Sequence, residues 1–480
     1  MGTLEEVPIA AQPIERFAEV LGSDVLTEAL ETAGAVRKLF EGRVFWNVNS
    51  TGLGGGVAEM LRPLVAYARG TGVDTRWLVI SGNPEFFRIT KRLHHALHGS
   101  SGDGTELGDE AHRIYEETLH ENALELCARV RRRDIVLLHD PQTVGLAPYL
   151  AKVGAIVVWR CHIGHDTAGA EVTRGWRFLQ RYLEHIPAFI FSREAYVPEF
   201  CDHGRSMIIR PSIDAFSPKN QELQDVAVQT ILVHTGVIER PEGLQSAGLD
   251  HTFIREDGAP GRVERRADVL RHGRPPHATT NTIVQVSRWD PLKDPLGVMR
   301  GFAKLVREGC AGEPDLILAG PNPRGVADDP EGEVVFDQVV KAWGAYLPEI
   351  RNRIHIVSLP TEDVEENAAI VNALQRHATV VVQKSLHEGF GLTVMEAMWK
   401  RRPVVASAVG GIQDQIEDGV DGLLIQDPTD SDEFADALRR LLERPDEATR
   451  LGAAGHERVK RDFLGVRHLL EYARLIEQFG

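Results

Sequence analysis

Two glutamates eight residues apart, Glu388 and Glu396, bracket a glycine loop and an apolar run in the segment Glu388-Gly389-Phe390-Gly391-Leu392-Thr393-Val394-Met395-Glu396-Ala397-Met398. An acidic chain carries such pairs by chance, so the context gives this one its weight. A strand-like stretch, Thr379–Gln383, runs into the loop, and a helix opens near Leu392. The amides around Gly391, Leu392 and Thr393 would then point at an anion. Glu388 would stand at the mouth of a cleft, with Phe390 in the same loop. Glu396 would lie about one helical turn inside, able to accept two hydrogen bonds from a ribose diol. A second group is Ser287-Arg288-Trp289-Asp290-Pro291-Leu292-Lys293-Asp294-Pro295, at the end of another strand. Arg288 and Lys293 could converge on one anion there, the first as a bidentate fork and the second as a point charge. In isolation such a pair is more commonly two solvated loop cations.

Three further segments place polar residues at strand ends. In Gly52-Leu53-Gly54-Gly55-Gly56, the glycines Gly54, Gly55 and Gly56 allow close backbone approach, so a donor phosphate or a sugar hydroxyl could sit at the following helix. The spacing is not GxGxxG, which argues against a dinucleotide site. His139-Asp140-Pro141-Gln142 and Arg160-Cys161-His162-Ile163-Gly164-His165-Asp166 each follow a strand. A lone histidine is more often structural than catalytic, and His162 gains its weight from position. No HExxH or other ligand spacing appears, so no metal is expected.

These segments need elements to hold them. Strand candidates are Arg43–Asn47, Arg76–Ile80, Asp134–His139, Ala155–Arg160, Ala188–Ser192 and Met207–Arg210, then Thr282–Ser287, Asp315–Ala319, Arg353–Val357, Thr379–Gln383, Pro403–Ala406 and Gly422–Ile425. Helical stretches separate most of them, and Pro63 predicts a kink in one. Apolar strands alternating with helices predict α/β architecture: two Rossmann-like doubly wound domains facing each other across a cleft, with ligands beyond the carboxyl ends of the strands. The division predicted is a helical extension over 1–42, a first domain over 43–215, a second over 216–460, and a docked helix over 461–480. Within the second, 241–280 is rich in Gly, Pro and charge and reads as a loosely packed insertion. The apolar face of Leu26–Phe40 could bury within the chain or against a second copy, which leaves a homodimer open.

The chain has 480 residues, with 54 Lys+Arg against 70 Asp+Glu, a formal net charge of −16. Such acidity disfavours nucleic acid and anionic membranes as partners. The apolar runs are far below the ~18–20 residues that span a bilayer. The first residues show no secretory pattern. Cys127, Cys161, Cys201 and Cys310 are scattered, without a CxxC pair. Together these point to a cytoplasmic protein whose partners are small molecules.

The Arg288…Lys293 and Glu388…Glu396 elements resemble those of the retaining family 4 glycosyltransferases of GT-B fold. The resemblance narrows with VNSTGLGGGVAEML (48–61), HDPQ (139–142), WRCHI (159–163), PSID (211–214), QVSRWDPLKDP (285–295), EGFGLTVMEAMWK (388–400) and VGGIQDQIEDG (409–419). In this order the blocks look like those of the trehalose glycosyltransferring synthases. The insertion at 241–280 and Gly164–Asp166 depart from that pattern. The resemblance implies transfer of glucose from a nucleoside-diphosphate glucose (ADP-, UDP- or GDP-glucose) to glucose, forming α,α-trehalose with no required cofactor. It implies catalytic roles for His162, Arg288, Lys293 and Glu388. Donor contacts would come from Gly54–Gly56, Phe390–Thr393 and Glu396, and acceptor contacts from Asn49, Asp140 and Gln142. His162 is expected near the donor sugar's primary hydroxyl. Arg160 is a further candidate for the positive field. A retaining trehalose phosphorylase using glucose 1-phosphate shares the first block and is the nearest alternative. A non-catalytic sugar-nucleotide sensor is a third.

Overall fold

Runs such as Ile135–Leu138 and Val380–Val382 are apolar on both faces, so their strands must be covered twice. The computed structural model describes residues 4–52, 54–184, 186–241, 251–323 and 330–479. It divides into two units, Met1–Ile213 with Phe463–Gly480, and Asp214–Asp462.

In the first unit the strands are β1 (Glu5–Glu6), β2 (Phe45–Asn49), β3 (Thr75–Val79), β4 (Ile135–His139), β5 (Ile156–Cys161), β6 (Ala188–Phe191) and β7 (Ser206–Ile208). Their order is β1-β3-β2-β4-β5-β6-β7. The ladders from β3 to β7 are parallel, and β1 pairs antiparallel with β3. Alternate residues feed opposite cores. Val48, Leu138, Trp159 and Phe189 enter one, while Phe45, Leu137, Val158 and Ile190 enter the other. The second core also takes Val36 and Phe40, from the helix Ser23–Leu39 and its end, with Tyr472, Leu475 and Ile476 from the helix Gly465–Glu477. The 1–42 stretch is thus part of the first unit, and its apolar face is occupied by the chain's own C-terminal helix. The helix Gly55–Gly70 runs through Pro63 as one element.

In the second unit β8 (Thr252–Ile254) and β9 (Pro260–Arg262) form an antiparallel pair of their own. The main sheet holds β10 (Asp268–Leu270), β11 (Thr282–Val286), β12 (Asp315–Pro321), β13 (Ile354–Leu359), β14 (Val380–Gln383), β15 (Val404–Ser407) and β16 (Leu423–Ile425), ordered β10-β13-β12-β11-β14-β15-β16. All its ladders are parallel except β10 on β13. The strand order reverses at β11, so β11 and β14 flank the switch point where open α/β sheets bind ligands.

The described part of 241–280 is tied down, which corrects the loose insertion expected from composition. Residues 242–250 lie outside the described residues. Phe253 and Val263 are buried. Arg255 bonds Asp363 Oδ2 and Glu365 Oε2, both at 2.7 Å. The buried Glu366 accepts the Glu264 amide at 2.8 Å and the Arg265 amide at 2.6 Å, and also pairs with the Arg265 guanidinium. Charge and glycine hid these short strands, and the partner of β10, β13, lies about ninety residues further along the chain.

Candidate functional site

In the second unit, the loop after β11 is shaped by its aspartates. Asp290 Oδ1 accepts the Leu292 amide at 2.8 Å and caps the turn Pro291–Lys293. Asp294 adopts a left-handed backbone (φ 45°), and its Oδ1 caps the helix Pro295–Glu308 through the Gly297 amide at 2.9 Å. The Lys384 ammonium, fully buried just after β14, bonds Asp294 Oδ2. This pair ties the β11 loop to the β14 loop. Lys293 is thereby placed with its Nζ 2.5 Å from Glu388 Oε2. That oxygen also accepts from Ser385 Oγ at 3.1 Å and lies 3.5 Å from Gln383 Nε2. Arg288 is exposed, with Nη2 3.3 Å from Asp290 Oδ2.

The glycine loop closes under this pair. Gly391 has φ 87°, and a Cβ there would come within 3.1 Å of Glu388 Cγ. It stands at the start of the helix Leu392–Trp399, so the first amides of that helix, at Leu392 and Thr393, lack intrahelical partners. Phe390 is buried, and Gln415 Nε2 donates to its carbonyl. Glu396 is 4% exposed, with Lys219 Nζ 3.4 Å from its Oε1. One turn on, the buried Lys400 Nζ donates to Asn220 Oδ1 at 2.9 Å. Burial pushes the Lys400 amine well below its ordinary value, although the Glu396 carboxylate opposes this.

In the first unit the polar groups gather at the carboxyl ends of β2, β4 and β5. Asn47 Nδ2 lies 3.5 Å from the Arg76 carbonyl, which turns Oδ1 toward His139 Nε2 at 3.3 Å. His139 Nδ1 is 3.1 Å from His162 Nε2, and the two rings are nearly parallel, at 11°. Burial, with the Arg160 charge, holds both histidines well below the ordinary imidazole range. Neutral rings fix the tautomers: His139 donates from Nε2 to Asn47, so His162 donates from Nε2 to His139. His162 Nδ1 is left as a lone-pair acceptor. Asp140 has φ 62°, and its Oδ1 accepts the His162 amide at 2.7 Å. Burial outweighs that bond and the Arg160 charge, and lifts its carboxyl to about 7. Gln142 Oε1 is buried with no protein partner among the described residues.

Asn49, expected on the acceptor side, has both side-chain polar atoms engaged by the protein. Its Oδ1 accepts from Trp77 Nε1 and its Nδ2 donates to the Thr51 carbonyl, both at 2.8 Å, so it braces the glycine turn. Gly54 and Gly55 have φ 73° and 78°, which explains glycine at both, and Gly56 lies in the first turn of the helix. Leu53 lies outside the described residues. Arg160 is buried, with Nη1 2.5 Å from both His468 Nε2 and Tyr472 Oη and Nη2 2.9 Å from the Ile209 carbonyl. Its guanidinium clamps the C-terminal helix, whereas the sequence made it a further candidate for the positive field.

Residues 47–198 match the family described as trehalose synthase, N-terminal domain, and residues 271–458 match glycosyl transferases group 1. A trehalose synthase of Pyrococcus horikoshii is 32% identical over 100% of both chains. The chain belongs to the trehalose synthase family. It is a trehalose-related glycosyltransferase. A trehalose phosphorylase of Pleurotus pulmonarius is 26% identical over 89% of this chain and 56% of that one. The fold is GT-B, as in an α,α-trehalose-phosphate synthase (UDP-forming) from Burkholderia xenovorans (TM-score 0.64, 16% identity, 91% of this chain and 100% of that one).

Several members of the site were not singled out from sequence. Lys219 and Asn220 lie a few residues past the PSID block (211–214), outside every motif singled out. Lys384 sits one residue beyond a recognised strand and carries no motif. For Asn47 the signal was present, since an amide inside a buried apolar strand needs a partner.

Proposed function

We propose that the protein transfers glucose from a nucleoside-diphosphate glucose to glucose, giving α,α-trehalose and nucleoside diphosphate with retention at the donor carbon. The observation that carries this reading is the Lys293–Glu388 pair beside the start of the helix Leu392–Trp399, at the switch point of β11 and β14. When the bond from the anomeric carbon to the phosphate oxygen breaks, negative charge grows on the β-phosphate. Lys293, Arg288 and the Gly391–Thr393 amides meet that charge, and the chain's own donors can supply the stabilisation. The departing phosphate takes the proton of the acceptor hydroxyl on the same face, so no carboxylate nucleophile is required. Glu388 orients Lys293 and holds donor hydroxyls. Glu396, held by Lys219, takes the ribose diol. His162 Nδ1 accepts from the donor sugar's primary hydroxyl. Asp140 and the Gln142 carbonyl serve the acceptor glucose.

The phosphorylase-like relative favours a second reading in which glucose 1-phosphate is the donor. Glu396 separates the two, because only a nucleotide brings a ribose. Calorimetric titration with nucleoside diphosphates should show Glu396→Gln binding about tenfold more weakly than the parent, with unchanged circular dichroism. Equal affinities would remove the ribose from the site and favour the sugar phosphate.

A further inference from the structure

We propose that the first unit carries a second anion site, for a small phosphate-bearing molecule, at the amino-terminal ends of β2, β3 and β4. This goes beyond the transfer reaction and does not rest on it. A concavity of about 520 Å³ opens there, within the ~300–1,000 Å³ usual for ligand pockets. Arg37, Lys38, Arg43, Arg76, Arg129 and Arg131 line it, against two carboxylates, Glu41 and Asp74. On a chain of net charge −16, this gathering of cations calls for a cause.

Internal pairing does not supply one. Asp74 is bound to Arg76 by two bonds of 3.0 and 2.9 Å, and Arg129 pairs with Glu125. Asp134, behind the wall, already accepts from the Val44 amide, Trp46 Nε1 and the Arg131 amide. Among the described residues, Arg37, Lys38 and Arg131 have no ion pair. Arg43 is the most telling. Its Nε donates to the Arg133 carbonyl at 2.7 Å, but its Nη2 is buried with no partner among the described residues. A charged donor left unmade is costly, and a small turn of the half-buried Arg43 side chain would bring it to an anion oxygen.

The guanidinium groups are also held in place. Arg43 lies 4.8 Å from the Phe40 ring centroid and Arg76 5.2 Å from that of Trp46. Stacking helps to hold both groups; Asp74 takes the Nε–Nη2 edge of Arg76 and the Arg133 carbonyl takes Arg43 Nε, so the terminal Nη1 groups are what they can still offer an anion. The volume exceeds one phosphate, and cations around its wall suit two phosphates or a phosphate on a sugar. The site lies at the opposite ends of the strands from His139 and His162, about 15 Å away at ~3.3 Å per residue.

The test is calorimetric titration of the full chain with inorganic pyrophosphate and, separately, with glucose 6-phosphate, at 150 mM salt. The background is Arg288→Ala/Lys293→Ala, which removes the strand-end cations of the second unit. One ligand per chain should still bind. Adding Arg37→Ala/Arg131→Ala, both exposed residues, should weaken binding at least tenfold without changing the circular dichroism. Tighter pyrophosphate binding would identify an inorganic ligand, and tighter glucose 6-phosphate binding a sugar phosphate. Absent saturable binding in the Arg288→Ala/Lys293→Ala background, or affinity unchanged by Arg37→Ala/Arg131→Ala, would overturn the proposal.

Discussion

Replacing Lys293 with methionine separates the chemical role of the ammonium from its structural one. Its Nζ sits 2.5 Å from Glu388 Oε2, with both side chains mostly buried (17% and 11% exposed). Glu388 keeps Ser385 Oγ at 3.1 Å and Gln383 Nε2 at 3.5 Å after the change, so its carboxylate is not stranded. The expected stability loss is therefore that of one charged hydrogen bond, about 1.5–3 kcal/mol. Methionine preserves most of the alkyl stem, which avoids a cavity. The catalytic loss should be larger. One donor aimed at charge that develops in the transition state is typically worth about 10²–10³ in kcat, or roughly 2.7–4 kcal/mol. Two measurements check this: steady-state release of nucleoside diphosphate, and urea unfolding of the same preparation. Glu388→Gln, alone and combined with Lys293→Met, completes a double-mutant cycle. Strong non-additivity in kcat is expected, because Glu388 orients the group that Lys293→Met removes. A kcat within tenfold of the parent, or additive losses, would refute the role given to the pair.

The buried Lys384–Asp294 pair should be structural. Lys384→Met leaves a carboxylate nearly dry and should cost about 3–5 kcal/mol in urea unfolding, with partial recovery in Lys384→Met/Asp294→Asn. Asp140 predicts a pH trend of opposite sign to an ordinary salt-bridged acid. Its native carboxyl titrates near 7, above the unfolded value near 3.9, so the folded chain holds the extra proton and loses stability as pH rises through that window. Asp140→Asn should therefore be more stable than the parent at pH 8, by about 2–4 kcal/mol, and no more stable at pH 4. Thermal unfolding across that range would show it. Deleting residues 251–270 should destabilise the chain, since it strips β10 from β13 and leaves Glu366 without Arg265 and the two amides it accepts. A shortened chain with an unchanged urea midpoint would contradict this.

Much of the sheet was legible because its strands are apolar on both faces. Thr282–Ser287 and Asp315–Ala319 were read within two residues of β11 and β12. The loops at their ends were legible because glycine and proline punctuate them. What composition could not supply was long-range pairing. β10 reads Asp-Val-Leu, and only the exposed edge of β13 makes a strand of it. Arg160 looked like a candidate for the positive field because it closes an apolar strand. Its partners His468 and Tyr472 stand about three hundred residues away, and only their proximity shows that the guanidinium turns inward. Lys219 was hidden similarly, in a proline-rich turn whose contact with Glu396 depends on the folded second unit.

The most direct test of the central claim is the donor itself. The purified chain is given glucose with a nucleoside-diphosphate glucose or with glucose 1-phosphate, and disaccharide is followed by proton NMR. The account predicts α,α-trehalose and an equal amount of nucleoside diphosphate from the nucleotide donor. Trehalose arising from glucose 1-phosphate alone, with no nucleoside diphosphate released from any nucleotide donor, would contradict it.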